Sequence, residues 1–254
     1  MNGLSFMRIP GVPLVQPGDD LAALISAALH GAGVKPLAGD LIAVAQKIVS
    51  KAEGRSVRLD TVTPSAEAKD IATRANKDPR VVELILRESR AVIRVSPGVI
   101  IVEHRTGVVL ANAGIDRSNI EDSDETALLL PEDPDASAAR LRAELQQAFG
   151  VALGLIITDS IGRAWRLGTV GIAIGCAGIK ALNDLRGQSD MFGRTLQVSE
   201  VVVATHSDED AHWMEPEMLG ALRRQVNDVS YTHLRAHETV LDLVCRLLHE
   251  KKKH

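Results

Sequence analysis

Residues 91–111, Ala91-Val-Ile-Arg-Val95-Ser-Pro97-Gly98-Val99-Ile-Ile-Val-Glu103-His-Arg105-Thr106-Gly107-Val108-Val-Leu-Ala111, decide the fold class. Three β-branched runs follow one another here: Ala91 to Val95, Val99 to Glu103 and Val108 to Ala111. Pro97-Gly98 and Arg105-Thr106-Gly107 supply the turns between them, which predicts successive strands. Upstream, two helical stretches are expected, about Ser65 to Ala75 and Pro79 to Glu88. Before them, Leu41 to Val44 reads as a short buried strand between Gly39 and the polar pair Gln46-Lys47. Leu21, Ile25 and Leu29 recur at i, i+4 and i+8 behind Asp19 and Asp20, so a helix opens there and ends at Gly31 and Gly33. The entry, with Pro10, Pro13 and Pro17, is extended and loop-like. Downstream, Asp133-Pro134 opens a helix with Leu141, Leu145 and Phe149 on one face. Val151 to Ile157 is a second apolar run that stops at Thr158, and a strand pair is expected over Thr169 to Ile174 and Thr195 to Val203. Helices and strands mix without a βαβ beat. The expected class is therefore α+β, with mixed or antiparallel sheets and flanking helices.

The chain has 254 residues, enough to bury a sizeable core. Aromatic residues make up only 2%, so that core rests on aliphatic side chains, and no stacking platform for single-stranded nucleic acid is available. A net charge of −4 gives a nucleic-acid role no electrostatic support. Cys176 and Cys245 alone make no disulfide framework, which fits a reducing compartment. No apolar run approaches the ~20 residues that span a bilayer, and no signal pattern stands at the N-terminus, so a cytoplasmic protein is expected.

Three segments place polar side chains directly after strand-like runs. In Gln46 to Arg55, Lys47 and Lys51 are four apart, so on a helical turn both ammonium groups point the same way and could grip a polyphosphate. The plainer reading is a solvated basic turn paired with Glu53. In Asn112 to Asn119, Gly114 allows close backbone approach and Asp116 offers a hard oxygen ligand, although a turn with local side-chain bonds fits equally. In Ile156 to Arg163, Asp159 and Ser160 at the carboxyl end of a buried strand suit Mg²⁺ or Mn²⁺ beside a phosphate. Arg163 and Arg166 could neutralise a transferred phosphoryl group. An Asp helix cap with surface arginines is the alternative. The stretch Gly171 to Gly178 is glycine-rich but does not have dinucleotide spacing, so close packing in a sheet is the better reading, and an oxidoreductase role is poorly supported. No Walker loop is present anywhere in the sequence.

Taken in order, these segments resemble the coenzyme F420-0:L-glutamate ligase family. The resemblance runs from about Ile9 to Ala204 and is carried by Pro10 to Leu14, Lys47 to Arg55, Ala111 to Asn119, Leu128 to Pro131 and Ile156 to Arg163. Gly171 to Lys180 and Asp190 to Arg194 look similar too. It implies a GTP-dependent ligase that phosphorylates the free carboxylate of coenzyme F420-0 and forms an amide with L-glutamate through an acyl phosphate. By the same resemblance, Gly11, Val12, Pro13, Leu14, Gln46, Lys47, Lys51 and Asn119 match positions that contact GTP. Asp116, Asp159 and Ser160 match metal ligands, the hydroxyl of Ser160 standing for a threonine. A divalent metal, Mg²⁺ or Mn²⁺, is implied, with K⁺ a further candidate, as is an intertwined homodimer. Nucleic-acid and membrane partners are not expected.

After Ala204 the family pattern stops. Six of the eight histidines, the single tyrosine Tyr231 and the run Lys251 to Lys253 all fall in the last stretch. Residues 1–204 therefore read as the ligase-like domain, incomplete at its C-terminal end, and 205–254 as a foreign tail. His233 and His237 lie at i, i+4, but the composition break argues against a metal site there. Within the tail, Val240 to Leu248 could form an amphipathic helix. A binding module of the same fold without turnover is the alternative to the ligase.

Overall fold

A computed structural model describes residues 5–117, 125–162, 167–198, 200–202 and 245–246. In chain order the elements begin with β1 (Ser5–Phe6), α1 (Leu21–Gly31), β2 (Leu41–Ala45), α2 (Gln46–Ala52) and β3 (Ser56–Arg58). Next come α3 (Ala66–Ala75), α4 (Pro79–Arg87), β4 (Ser89–Ser96), β5 (Val99–His104), β6 (Val109–Ala111) and β7 (Thr126–Leu128). They end with α5 (Pro134–Phe149), β8 (Gly154–Gly162), β9 (Thr169–Ala177), β10 (Leu182–Asp184), β11 (Glu200–Val202) and β12 (Cys245–Arg246). The architecture is α+β, as expected.

Local chemistry sets the helix ends. Asp20, Ser65, Asp78 and Asp133 each accept a backbone N–H of the first turn of the helix that follows. Pro79 and Pro134 stand at the start of α4 and α5, where the missing N–H costs nothing. Asn76 and Gly150 end α3 and α5 in left-handed conformations, at φ 50° and 68°.

The meander β4–β5–β6 is antiparallel throughout, and α3 and α4 pack on it. Their shared core includes Ile71, Val82, Ile85, Ile100 and Val102. Each large side chain fully buried there contributes about 1.5–3 kcal/mol. A second layer is the mixed sheet β2–β8–β9, parallel from Leu41↔Gly154 to Ala45↔Thr158 and antiparallel from Leu155↔Ala177 to Gly162↔Thr169. Helix α5 crosses β8 and β9 and meets α1, burying Ile25, Leu29, Val44, Leu145 and Ile157. Neighbouring residues join the two cores: Leu110 and Leu130 belong to one, Ala113, Ala127 and Leu129 to the other.

Three expectations need correction. Strand β8 does not stop at Thr158; it continues through Asp159 and Ser160 to Gly162, because β9 pairs with it past the end of β2. Strand β9 pairs with β8, Gly162 facing Thr169 at the end of the ladder, and β11 at Glu200–Val202 pairs instead with β10. Cys245 and Arg246 form a two-residue ladder with β1, so the expected helix over 240–248 is not formed at those positions; its other residues lie outside the described ones.

The glycine-rich stretch lies in a sheet, as expected, and packs closely at Gly175 and Gly178. A Cβ on Gly175 would collide with the Pro134 carbonyl, and one on Gly178 with the Arg142 guanidinium. Strand β9 can therefore lie against the start of α5, where the Cys176 N–H donates to Asp135 Oδ1 at 2.8 Å. Among the described residues no helix is long and apolar enough to cross a membrane.

Candidate functional site

Helix α2 starts at once after β2, so Lys47 stands at the carboxyl end of the parallel pair β2–β8. The helix puts Lys47 and Lys51 one turn apart on the same side. Gln46 is buried and accepts the Ser50 hydroxyl at 2.9 Å, which satisfies its carbonyl oxygen inside the core. On the opposite side of α2 lies a cleft lined by Asp19, Asp20, Glu53, Glu144 and Arg140 among others. Glu53 is held there by Arg140 at 2.6 Å and by Ser137. Its charge is mostly negative, the wrong sign for a polyphosphate, whereas the lysine side has the right one.

The second segment turns sharply. Asn112, Ala113 and Gly114 are all left-handed, at φ 53°, 54° and 66°. For buried Ala113 this conformation costs about 1–2 kcal/mol. Asn112 Oδ1 accepts the Ile100 N–H at 3.1 Å, and Leu130 fills the space where a Gly114 Cβ would stand, so close approach and local bonding both operate. The turn delivers Asp116, whose backbone exchanges hydrogen bonds with Leu128 at 3.0 and 2.9 Å. Its Oδ2 lies 2.6 Å from Lys47 Nζ. Both side chains are about a quarter to a third exposed (26% and 32%), so the pair orients more than it stabilises.

Asp159 is the first residue of β8 beyond the pairing with β2. Burial pushes its carboxyl up to about 6. The neighbouring Asp116 adds to the rise, while the Ser160 N–H and Lys47 oppose it. The structure thus brings Lys47, Asp116 and Asp159, from three distant segments, within electrostatic reach of one another. Ser160 is exposed, and strand alternation turns its hydroxyl to the other face from Asp159. Gly11, at φ 88°, Pro13 and Leu14 are exposed, and Val12 packs on the core that also receives Val49 of α2. That loop runs on to Gly18, whose N–H donates to the Ala52 carbonyl at the end of α2. Asn119, Arg163, Arg166, His233 and His237 lie outside the described residues.

Two hard oxygen donors, one of them drawing a proton up to about pH 6, suit a divalent cation. No group of three or more His, Cys, Asp or Glu able to hold a metal occurs among the described residues, so such an ion would take its other ligands from hydroxyls, backbone, water or substrate.

A buried charge cluster at Glu88, reached from the end of α2 through Arg55, has no signature in residue spacing. Glu88 accepts from Arg55 at 2.8 Å and Arg105 at 3.1 Å, with His104 Nε2 at 3.6 Å. Burial pushes its carboxyl up, but His104 and the two guanidiniums outweigh that and hold it down at about 2. The Thr106 N–H donates to His104 Nδ1, which turns Nε2 toward Glu88.

Fold and site together define an α+β protein that gathers carboxylates and a lysine at the carboxyl end of a parallel strand pair, an arrangement fit for cations and phosphate groups. The family model for F420-0:Gamma-glutamyl ligase matches residues 11–207, and the chain belongs to that family. It is 48% identical to the coenzyme F420:L-glutamate ligase of Methanothermobacter thermautotrophicus, over 80% of this chain and 79% of the relative. To the protein of the same name from Methanopyrus kandleri it is 49% identical, again over 80% and 79%.

Proposed function

We propose that the chain is a ligase of coenzyme F420 biosynthesis that uses GTP to join L-glutamate to the free carboxylate of coenzyme F420-0. The observation that carries the reading is the convergence of Lys47, Asp116 and Asp159, in a chain whose relatives are named for glutamate ligation. Asp116 and Asp159 would hold Mg²⁺ or Mn²⁺, with Ser160 as third donor only where the end of β8 unpairs from β9 and turns its hydroxyl to their face. K⁺ is a further candidate. Bound there, a divalent ion neutralises phosphate oxygens and lessens their repulsion of an incoming carboxylate.

Lys47 and Lys51 present two charges on one side of α2 to the polyphosphate, with Gln46, the loop from Gly11 to Leu14, and Asn119 completing the nucleotide contacts. Phosphoryl transfer to the coenzyme carboxylate breaks the bond between the β,γ-bridging oxygen and the γ-phosphorus and releases GDP. The glutamate amine then attacks the acyl phosphate, an amide forms, phosphate leaves, and the amine proton passes to solvent.

A homodimer is part of the proposal. Leu167, Met191, Phe192 and Val198, on or beside the β9–β11 region, are 77–89% exposed, apolar surface that a second subunit would cover. The setting proposed is the cytoplasm.

GDP release that requires both glutamate and coenzyme F420-0 is the expected result. GTP binding without such release would favour a binding module that lacks turnover. Lys51→Ala should weaken GTP binding by about 1.5–3 kcal/mol, the range for a charge-assisted hydrogen bond, and leave affinity for the coenzyme precursor intact. An unchanged GTP dissociation constant by calorimetry would return Lys51 to the solvated face of the helix.

A further inference from the structure

Arg55 lies three residues beyond α2 and bonds both to that helix and to the segment that pairs with Asp116. Its N–H closes the helix on the Ser50 carbonyl at 2.9 Å, and its carbonyl accepts the Leu129 N–H at 3.1 Å. Its Nε donates to the Leu130 carbonyl at 2.9 Å, and its Nη2 to Glu88 Oε2 at 2.8 Å. The 128–130 strap gripped in this way exchanges both backbone bonds with Asp116 through Leu128, and packs Leu130 onto Gly114. Asp116 then meets Lys47 at 2.6 Å, on the same helix that Arg55 closes. The path is a ring: helix α2, Arg55, the strap, Asp116, Lys47 and back to α2.

We propose that Arg55 and Glu88 are positioning residues that fix this ring and so set Asp116, oriented by Lys47, for binding a divalent cation. The inference rests on the reading of Asp116 as a cation ligand. Glu88, 9% exposed and anchored at the end of α4, holds one end of the guanidinium while the Leu130 carbonyl holds the other. Both side chains are largely buried in their ion pair. They act by orienting the ligand, as outer-sphere partners of metal ligands do.

Glu88→Ala would strand two guanidiniums, a loss large enough to unfold the protein by itself. The informative variant pairs Glu88→Leu with Arg55→Met and Arg105→Met, which removes the carboxylate together with both guanidiniums it holds while nearly keeping volume. Binding of Mn²⁺ alone to the chelator-stripped full chain is followed by the electron paramagnetic resonance of free Mn²⁺, alongside thermal melting. The triple variant should melt near the parent yet bind Mn²⁺ at least about tenfold more weakly. Val82→Ala, in the meander core, should melt lower and keep the parental Mn²⁺ affinity. Parental affinity in the triple variant overturns the proposal, as does an equal loss in Val82→Ala, which would mean that affinity merely follows stability. Asp116→Asn separates the two levels: if it too binds Mn²⁺ like the parent, the ligand reading itself fails and the ring has nothing to position.

Discussion

Asp159→Asn is expected to abolish turnover and yet to make the metal-free protein more stable above pH 6. The first effect follows from losing a ligand of the proposed divalent ion, which costs several kcal/mol of transition-state stabilisation, about three orders of magnitude in rate. The second follows from burial. The Asp159 carboxyl titrates at about 6 in the folded chain against 3.8 in its ordinary state. The folded protein therefore binds this proton more tightly than the unfolded chain does. The stability from that preference is fully present below 3.8 and lost as pH rises through about 6. Converted at 1.36 kcal/mol per pKa unit, the loss is on the order of 2–3 kcal/mol. Asparagine keeps the shape and carries no charge to desolvate. In chelator, melting of the parent should fall from pH 5 to pH 8 relative to the variant. A variant that melts lower than the parent at pH 8, or that keeps its turnover, contradicts this account of Asp159.

Gly175→Ala should cost about 3 kcal/mol, the upper range for forcing extra volume into a packed site. Its Cβ would meet the backbone of Pro134, which cannot rotate away as a side-chain tip can. Either β9 or the start of α5 must move, and with it the Cys176–Asp135 bond. For a folded unit of this size the melting temperature should drop by roughly 6–12 °C. Gly175 pairs with Ile157, two residues before Asp159, so activity should fall as well. Gly171→Ala, on the same strand with open space around the new carbon, should stay within about 0.5 kcal/mol. Equal melting of the two variants would show that the close approach carries no energetic weight.

Much of this architecture was legible because its signals are local. Asp20, Ser65 and Asp133 stand where a helix must find acceptors for its first N–H groups, and each does so. The three runs of 91–111 carry their own turns, and the structure keeps them within a few residues. Partnership was harder to read. The polar run Thr158 to Ser160 looks like the end of a strand when only β2 is considered, and becomes its middle because β9 pairs beyond. For Asn112 to Gly114 the residues allowed either a local turn or a close backbone approach, and the fold uses both.

At the site, Lys47, Asp116 and Asp159 were singled out segment by segment. Nothing in their spacing says that Lys47 meets Asp116, 69 residues away; resemblance alone put them in one site. The pair Arg55 and Glu88, 33 residues apart and carried by different elements, left no periodic trace, since a buried ion pair needs only two compatible positions in space.

The central claim meets its most direct test in the reaction product. Purified protein is incubated with GTP, Mn²⁺, L-glutamate and coenzyme F420-0, and the deazaflavin is analysed by mass spectrometry. The account predicts a glutamyl adduct that requires GTP, is lost with Asp159→Asn, and is accompanied by GDP. Unchanged coenzyme, from protein that binds GTP and melts cooperatively, would contradict it.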